Sequence, residues 1–364
     1  MIMKPKLNAT VSVIELNETM LEFFKTNTRQ QIRIKVNSKL ILNLISSFDG
    51  VKSVEQIAHE QKISVDDLMF FLSFLQKNGI LDTSEPKTDF FQYDKYRRVI
   101  HFLNDYASSH DHLLQMWTKI RNAKVLVIGL GAVGTWVACT LVESGIGTLI
   151  LMDADVVDES NLHRQFGFTE ADIGKPKTDV LKKRLQEYTK DINVITNNKF
   201  LTDNSLLEVG QEEISLIINC ADSPNVDTTS LWVGEYCMKH NIPHIIGGGY
   251  NMHLSLIGQT VLPGQSACVK CFQKKLEEEN AIDSRVVKKL AIKNRKVGSF
   301  APMCSLISSM IGMEAIKIIS HCTMPANINR RGEFDIFTMD IKYKPYERRT
   351  DCEWCGKNGL YYSS

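Results

Sequence analysis

Apolar and polar positions follow two different patterns, which divide the chain into a short first part and a long remainder. Residues 10–16 and 31–36 alternate apolar with polar side chains, and this alternation predicts two strands of a hairpin. Helical spacing then predicts three helices, over about 38–48, 54–61 and 65–77. Two strands with three helices predict a small α+β, winged-helix-like domain over residues 1–85, and the polar stretch 83–95 is predicted to be a linker.

The remainder opens with continuous apolar runs instead of alternation. The run at 125–128 predicts a buried parallel strand, a helical pattern follows it, and a second run at 149–152 completes a βαβ unit. Further strands are predicted over 216–220 and 244–246. We therefore expect residues 86–364 to form an α/β domain, with a Rossmann-like, mostly parallel sheet and helices on both of its faces. One more strand, which alternates, is predicted near 254–261.

The first strand of this unit leads directly into a GxGxxG turn. Its glycines are Gly129, Gly131 and Gly134, and Asp153 ends the second strand. Glycine allows phosphates to approach the backbone, and the following helix offers unpaired N–H groups at its positive end. The pattern predicts that these four residues bind a nucleotide. A turn that only packs the helix on the sheet and a dinucleotide site of an oxidoreductase are the alternatives.

Charged residues follow where the next loops should cross the same crevice. Arg164 and Lys177 favour ATP over a nicotinamide cofactor, because cations offset the charge that develops on a departing pyrophosphate. Asp222 follows an apolar strand and suits a Mg²⁺ ion that bridges phosphate oxygens. Its alternative role is to cap the helix that begins at about Asn225.

Four of the nine cysteines form two CxxC pairs, Cys268 with Cys271 and Cys352 with Cys355. In a chain without a recognisable export signal, this spacing predicts a structural zinc ion held by four thiolates. Redox pairs and free thiols are the alternatives. Cys304 belongs to neither pair and opens an apolar helical stretch, so we expect a core thiol in preference to a nucleophile.

Charge and composition argue against several classes of partner. The net charge of +1 provides no general attraction to nucleic acid or to a membrane surface. A winged helix often binds DNA, but the third predicted helix begins with two aspartates, which phosphate would repel. The apolar stretch 125–152 is long enough to suggest a membrane span, but its glycines, Glu143 and its βαβ pattern argue against one. We expect a cytoplasmic protein that binds neither nucleic acid nor a membrane.

Taken together, these motifs resemble the ThiF/MoeB/E1 family of adenylating enzymes. The similarity includes GLGAVG with Asp153, NLHRQ at 161–165, GKPK at 174–177, CADSP at 220–224 and the paired CxxC. It implies an enzyme that binds Mg·ATP, adenylates a carboxylate and releases pyrophosphate. It also implies the role of each site residue: Asp153 holds the ribose, Asn161, Arg164 and Lys177 contact the phosphates, and Asp222 coordinates Mg²⁺.

The family resemblance also implies a homodimer. The family carries a Tyr-x-Arg near the start of this domain, and its arginine reaches the ATP of the other subunit. Tyr96-Arg97-Arg98 matches that pattern, which makes Arg98 the corresponding residue.

Residues 1–85 resemble the small PqqD-like domain that recognises peptides, on the strength of the segment 48–81. In that family the leader of a ribosomally made precursor peptide binds as an added strand. The order of the two domains is similar to that in the enzymes of microcin C7 and pantocin biosynthesis, which implies adenylation of a peptide carboxylate during antibiotic maturation. The segment 276–300 contains no cysteine for a thioester, which favours capture by a nitrogen of the peptide. Activation of a sulfur-carrier protein and a non-enzymatic scaffold remain alternatives.

Overall fold

The computed structural model describes residues 3–36, 40–82, 93–208, 213–248, 250–251, 254–279 and 298–362. Its chain divides into two units, residues 1–117 and 118–364. Most of the predicted linker lies outside the described residues, so the predicted boundary at residue 85 stays a prediction.

The first unit begins with three antiparallel strands in the spatial order β1-β2-β3: β1 (Val11–Asn17), β2 (Met20–Lys25) and β3 (Gln30–Lys35). The predicted hairpin was wrong in one respect, because β1 and β3 do not pair with each other but flank β2. Strand β2 lacks alternation because both of its faces are covered. Leu21 and Phe23 are fully buried, and Glu22 on the opposite face is buried as well, in an ion pair with Arg33 at 2.7 Å.

Three helices cover this sheet: α1 (Ile41–Ser46), α2 (Val54–Gln61) and α3 (Val65–Lys77). The predicted bounds of α2 and α3 are confirmed. Ser53 and Ser64 each cap a helix, by accepting a hydrogen bond from the backbone N–H three residues later. The unit also contains α4 (Tyr93–Asn104) and the start of α5 (His110–Asn122).

The second unit contains ten strands and five α-helices in its described residues. The strands are β4 (Lys124–Ile128), β5 (Thr148–Met152), β6 (Asn193–Asn197), β7 (Leu216–Asn219), β8 (His244–Ile246), β9 (Tyr250–Asn251), β10 (Leu254–Ile257), β11 (Gln259–Val261), β12 (Arg330–Asp335) and β13 (Asp340–Pro345). The helices are α6 (Gly134–Glu143), α7 (Lys177–Tyr188), α8 (Val226–His240), α9 (Val269–Glu279) and α10 (Ala301–Ser320).

The main sheet has the order β11-β8-β7-β4-β5-β6, and every neighbouring pair is parallel except β11 with β8. The predicted mostly parallel sheet is confirmed. The chain moves from β4 through β5 to β6 in one direction, and from β7 to β8 in the other. Since such crossovers are right-handed, α6 and α7 cover one face of the sheet and α8 covers the other. The direction reverses between β4 and β7, and ligands bind at such a point in open α/β sheets.

A second sheet is antiparallel and has the order β13-β12-β10-β9. The single strand predicted near 254–261 is divided at Gly258 into β10 and β11, which belong to different sheets. A Cβ atom at Gly258 would lie 2.6 Å from the Ile246 carbonyl oxygen, so the close approach of the chain there requires glycine.

Helix α10 has 20 residues and a mean hydropathy of 1.4, so among the described helices it alone is long and apolar enough to cross a membrane. However, 67% of that stretch is buried inside the protein. Its Gly312 packs closely on Thr140 of α6, where an added Cβ would come within 2.7 Å of the threonine hydroxyl. These contacts are those of a core helix.

Candidate active site

The predicted site residues come together at one edge of the main sheet. Strand β4 lies between β5 and β7 and is parallel to both, so the carboxyl ends of all three strands meet there. Gly129 directly follows β4, Asp153 directly follows β5, and Asp222 lies just after β7. The tertiary structure therefore brings together segments that are about 90 residues apart in sequence.

The three glycines of the turn differ in what surrounds them. Gly129 has a φ of +84°, and a Cβ there would lie 2.7 Å from the Ala221 nitrogen. A Cβ at Gly134 would lie 1.9 Å from the Gly129 carbonyl oxygen. Around Gly131, by contrast, a Cβ would meet nothing within 4 Å. Two glycines thus permit close packing, while the third borders open space in which a phosphate could approach the backbone.

The first turn of α6 provides further donors beside that space. Its N-cap residue, Val133, makes no side-chain cap. The Thr135 and Val137 N–H groups already donate to the carbonyls of Gly131 and Val133. The N–H groups of a first turn that lack such a partner can donate to an anion at this end.

Asp153 lies against the glycine turn. One carboxylate oxygen accepts from the Leu130 N–H at 2.5 Å, and the other accepts from the Asp155 N–H at 2.7 Å. Each carboxylate oxygen has two lone pairs, so both can still accept from the hydroxyls of a ribose.

Lys177 is buried at the first position of α7 and needs a partner for its charge. Its Nζ donates to Asp155 at 2.9 Å, and its backbone N–H donates to the Asp155 carbonyl at 3.0 Å. Sequence reasoning missed Asp155. The available signal was a second aspartate two positions after Asp153, which the fold places opposite the GKPK segment.

Arg164 retains bonding capacity in its guanidinium group. Nη1 donates to the Ser160 carbonyl, while Nε is buried without a hydrogen-bond partner among the described residues. The neighbouring Gln165 is also buried, and its Oε1 atom likewise has no partner there. A buried polar atom without a hydrogen-bond partner destabilises the folded protein. The Arg164 Nε and Gln165 Oε1 atoms are therefore suited to bind a polar ligand.

Asn161 has a structural role in the protein as described. Its Oδ1 accepts from the Asp158 N–H at 3.1 Å and closes a short 3₁₀ turn, Glu159–Asn161. Its contact with a phosphate stays a prediction.

Asp222 is exposed, and it does not cap the helix that follows. The cap of α8 is Asn225, whose Oδ1 accepts from the Thr228 N–H at 2.9 Å. Asp222 therefore does not have the alternative role of a helix cap, and its exposed carboxylate is suited to Mg²⁺.

The Tyr-x-Arg pattern lies on α4 in the first unit. Tyr96 is buried and packs on Trp117, with ring centroids 5.1 Å apart, whereas Arg98 is exposed. The tyrosine therefore anchors the helix. The contact of Arg98 with the nucleotide of a partner subunit stays a prediction.

The four paired cysteines converge. All four are buried, and their sulfur atoms lie within 4.8 Å of one another, with Cys268 and Cys352 at 3.5 Å and Cys271 and Cys355 at 3.3 Å. Thiolates bound to a tetrahedral zinc at about 2.3 Å would be about 3.8 Å apart, so the donor set fits zinc.

Cys304 is buried near the start of α10, where its sulfur lies 3.3 Å from the Ser299 hydroxyl. Burial raises the pKa of its thiol, which keeps it protonated and weakly nucleophilic. The prediction of a core thiol is confirmed.

Comparison with known proteins supports the interpretation of these motifs as those of an adenylating enzyme. The ThiF family model matches residues 108–354. The chain is 29% identical over 238 residues to the molybdopterin-synthase adenylyltransferase of Salmonella typhimurium, covering 65% of this chain and 89% of that enzyme. The sulfur carrier protein ThiS adenylyltransferase of Escherichia coli is also 29% identical over 238 residues, covering 65% of this chain and 88% of that protein.

Solved structures extend the similarity to nearly the whole chain. Escherichia coli MccB, crystallised with AMPCPP and MccA, aligns with a TM-score of 0.75 at 24% identity, over 97% of this chain and 100% of MccB. PaaA aligns with a TM-score of 0.74 at 20% identity, over 93% of this chain and 99% of PaaA. At these identities the similarity establishes the fold.

Proposed function

Since the chain belongs to the ThiF family, and is an ATP-dependent adenylating enzyme, we propose that it activates a carboxylate of a ribosomally made precursor peptide during antibiotic maturation. A peptide nitrogen then captures the acyl-adenylate. In this proposal residues 1–85 recognise the leader of the peptide and residues 86–364 carry out the adenylation. ATP as a substrate and reduced thiols both fit a cytoplasmic enzyme.

The proposal of a peptide substrate rests on an apolar groove in the first unit. It has a volume of about 470 Å³ and lies between β3 and α3. All of its lining residues except Lys35 and Gln61 are apolar: Ile34, Val36, Leu40, Ile41, Leu44, Ile63, Phe70, Phe71 and Phe74. Phe70 is 81% exposed at this groove, and an exposed aromatic side chain that continues an apolar surface is typical of a binding site.

Beside this groove, β3 is an edge strand. It pairs with β2 on one side, and its other edge is not part of a sheet among the described residues. An extended peptide can form main-chain hydrogen bonds to such an edge and direct every second side chain towards α3. Helix α3 carries Asp66 and Asp67 in its first turn, which suits a peptide better than the phosphates of DNA.

The proposed reaction needs charge stabilisation more than acid–base catalysis. The peptide carboxylate attacks the α-phosphorus of ATP, the bond from that phosphorus to the bridging oxygen breaks, and pyrophosphate departs. Arg164 and Lys177 would offset the charge on the phosphates, and Asp222 would hold Mg²⁺, which would supply further positive charge there. A peptide nitrogen then attacks the activated carbonyl, loses its proton, and AMP leaves.

A second candidate is activation of a sulfur-carrier protein, which the name of the Escherichia coli ThiS adenylyltransferase suggests. The buried Cys304 and the lack of cysteine over 276–300 argue against thioester chemistry. Intact Arg164, Lys177 and Asp222 argue against the scaffold alternative.

The groove can be tested with Phe70→Glu. The precursor peptide encoded beside the gene should bind this variant at least tenfold more weakly in fluorescence anisotropy, because a carboxylate replaces an apolar contact. Binding of Mg·ATP should not change. Phe337→Glu is the matched control, since Phe337 is similarly exposed, at 77%, but lies in the second unit. Equal peptide affinity for Phe70→Glu and the unmodified enzyme would contradict the leader site, and adenylation of a sulfur-carrier protein alone would favour the second candidate.

A further inference from the structure

The segment that carries Arg164 is tied to the glycine turn by two neighbouring residues of α6. Thr135 is fully buried, and its hydroxyl donates to the Gly131 carbonyl at 2.9 Å and accepts from the Phe166 N–H at 3.0 Å. The indole Nε1–H of Trp136 donates to the Arg164 carbonyl at 3.1 Å. The backbone on either side of residue 165 is therefore held from the helix that begins at the phosphate-binding turn.

Aromatic packing supports the same connection. The rings of Trp136 and Phe166 lie 5.0 Å apart, and Phe166 packs in turn on Tyr188 of α7 at 6.0 Å. Two helices that each begin at the candidate nucleotide site, α6 and α7, thus hold the segment between them.

This arrangement fixes the backbone of Arg164, while the Nε atom of its side chain has no hydrogen-bond partner in the part of the chain that the structure describes. A cation that must meet a phosphate works best when its position is set before the ligand arrives, because a misplacement of about 1 Å can cost about 100-fold in rate. Neither Thr135 nor Trp136 was among the residues that the motifs indicated.

We infer that Thr135 and Trp136 are positioning residues, which hold the Arg164 guanidinium in register with the glycine turn and so set the affinity for the outer phosphates of ATP. The inference rests on the proposed role of Arg164 as a phosphate ligand. It assigns both residues an effect on ATP that exceeds their effect on AMP, which lacks those phosphates.

The test compares binding of Mg·ATP and of AMP to the full-length protein by isothermal titration calorimetry. Thr135→Val removes the hydroxyl but keeps the side-chain shape, whereas Thr135→Ser keeps the hydroxyl and removes the methyl group. Trp136→Phe removes the N–H but keeps an aromatic ring against Phe166. Thr140→Val is the matched control, because the Thr140 hydroxyl lies in the same helix and, within the described residues, donates its hydrogen bond to the Val137 carbonyl and not to the segment that carries Arg164.

We expect Thr135→Val and Trp136→Phe to weaken ATP binding about tenfold, with AMP affinity changed by less than about twofold, since one lost hydrogen bond is worth about a factor of ten. Thr135→Ser should bind ATP normally, and Thr140→Val should bind both nucleotides normally. Arg164→Ala tests the phosphate contact separately from the positioning by Thr135 and Trp136. If Arg164→Ala leaves ATP affinity unchanged, the proposed phosphate contact fails.

If Arg164→Ala weakens ATP binding while folded Thr135→Val and Trp136→Phe do not, the positioning inference alone is overturned. An equal loss of ATP and AMP affinity would overturn it too, because it would indicate a purely structural role. Should Thr135→Val fail to fold, Trp136→Phe decides the outcome by the same criteria.

Discussion

Lys177 and Asp222 represent two ways of placing a charge in the same crevice. Lys177 is buried, and burial of an unpaired ammonium would be costly, so the fold supplies Asp155 as its counter-ion. Asp222 is exposed, and its charge is stabilised by water at little cost. In the proposed mechanism, the first arrangement fixes a cation that would meet a phosphate, and the second leaves a carboxylate that would bind a hydrated ion.

Asp222→Asn tests the exposed carboxylate. The substitution retains the side-chain volume but removes the anionic ligand, so we expect ATP turnover to fall by about 100-fold or more. The melting temperature should stay within about 2 °C of the original value, since Asn225 caps the following helix. Turnover near the unmodified level would show that another group holds the magnesium.

Cys304→Ala tests the absence of a thioester. Burial raises the pKa of the Cys304 thiol, so the thiolate is scarce at neutral pH and becomes available only at higher pH. We expect the variant to retain peptide adenylation, and iodoacetamide to label Cys304 in the native enzyme only slowly at pH 7. A covalent thioester at Cys304, detected by intact-protein mass spectrometry, would restore the sulfur-carrier interpretation.

At the scale of elements, the cysteine cluster joins the N-terminal end of α9 to the C-terminal turns. Cys268 precedes α9, Cys271 lies in its first turn, and the second CxxC pair follows β13. The four sulfurs lie in a buried cluster that includes Tyr346 and Trp354. Two strands of the second sheet, β12 and β13, lie between the two pairs in sequence. A metal here would therefore hold those strands to the rest of the unit.

Cys352→Ser is therefore expected to lower both the zinc content and the stability of the protein. Zinc binding should be reduced or lost in metal analysis, and the melting temperature should fall by on the order of 10 °C, because binding free energy of a structural metal contributes to folding. Cys322→Ser is the matched control, since this cysteine is half-buried and lies outside the cluster. A purified enzyme without zinc, or a variant as stable as its parent, would contradict the metal site.

At the scale of the whole molecule, the proposed homodimer would complete each active site with Arg98 from the other subunit. Arg98 is exposed on a helix that Tyr96 anchors by packing on Trp117, so it can meet a partner without disturbing the core. Closed two-fold assemblies repeat such a contact at both sites.

Mixing Arg98→Ala with Asp222→Ala chains tests this arrangement. Each variant alone should be nearly inactive, but a mixed dimer carries one intact site, so an equal mixture should recover about one quarter of normal activity. Size-exclusion chromatography with light scattering should show a dimer. An active monomer, or a mixture that stays inactive after exchange of subunits, would remove the claim.

Local pattern was sufficient where a structure depends on near neighbours in sequence. The sequence predicted the capped helices α2 and α3, and also the first βαβ unit with its glycine turn. These elements were predictable because a helix cap, a helical period of 3.6 residues or a buried apolar run depends on a window of about 15 residues. The spacing within each CxxC pair also predicted that the four thiols would come together, since two such pairs are typical of one metal site.

Tertiary contacts decided the rest. Strand β2 was missed because burial of both faces removes alternation, and the division of β10 from β11 depends on the chain passing the Ile246 carbonyl. Helix α5 was not predicted, and α4 begins at Tyr93, inside the polar stretch 83–95 that was predicted to be a linker. The roles of Asp155 and Thr135 follow from groups 22 and 31 positions away along the chain. The sequence by itself determined which charges, thiols and glycines the enzyme carries, because these are chemical identities. Only the folded sheet determined which of them meet, because strand order brings distant segments to one edge.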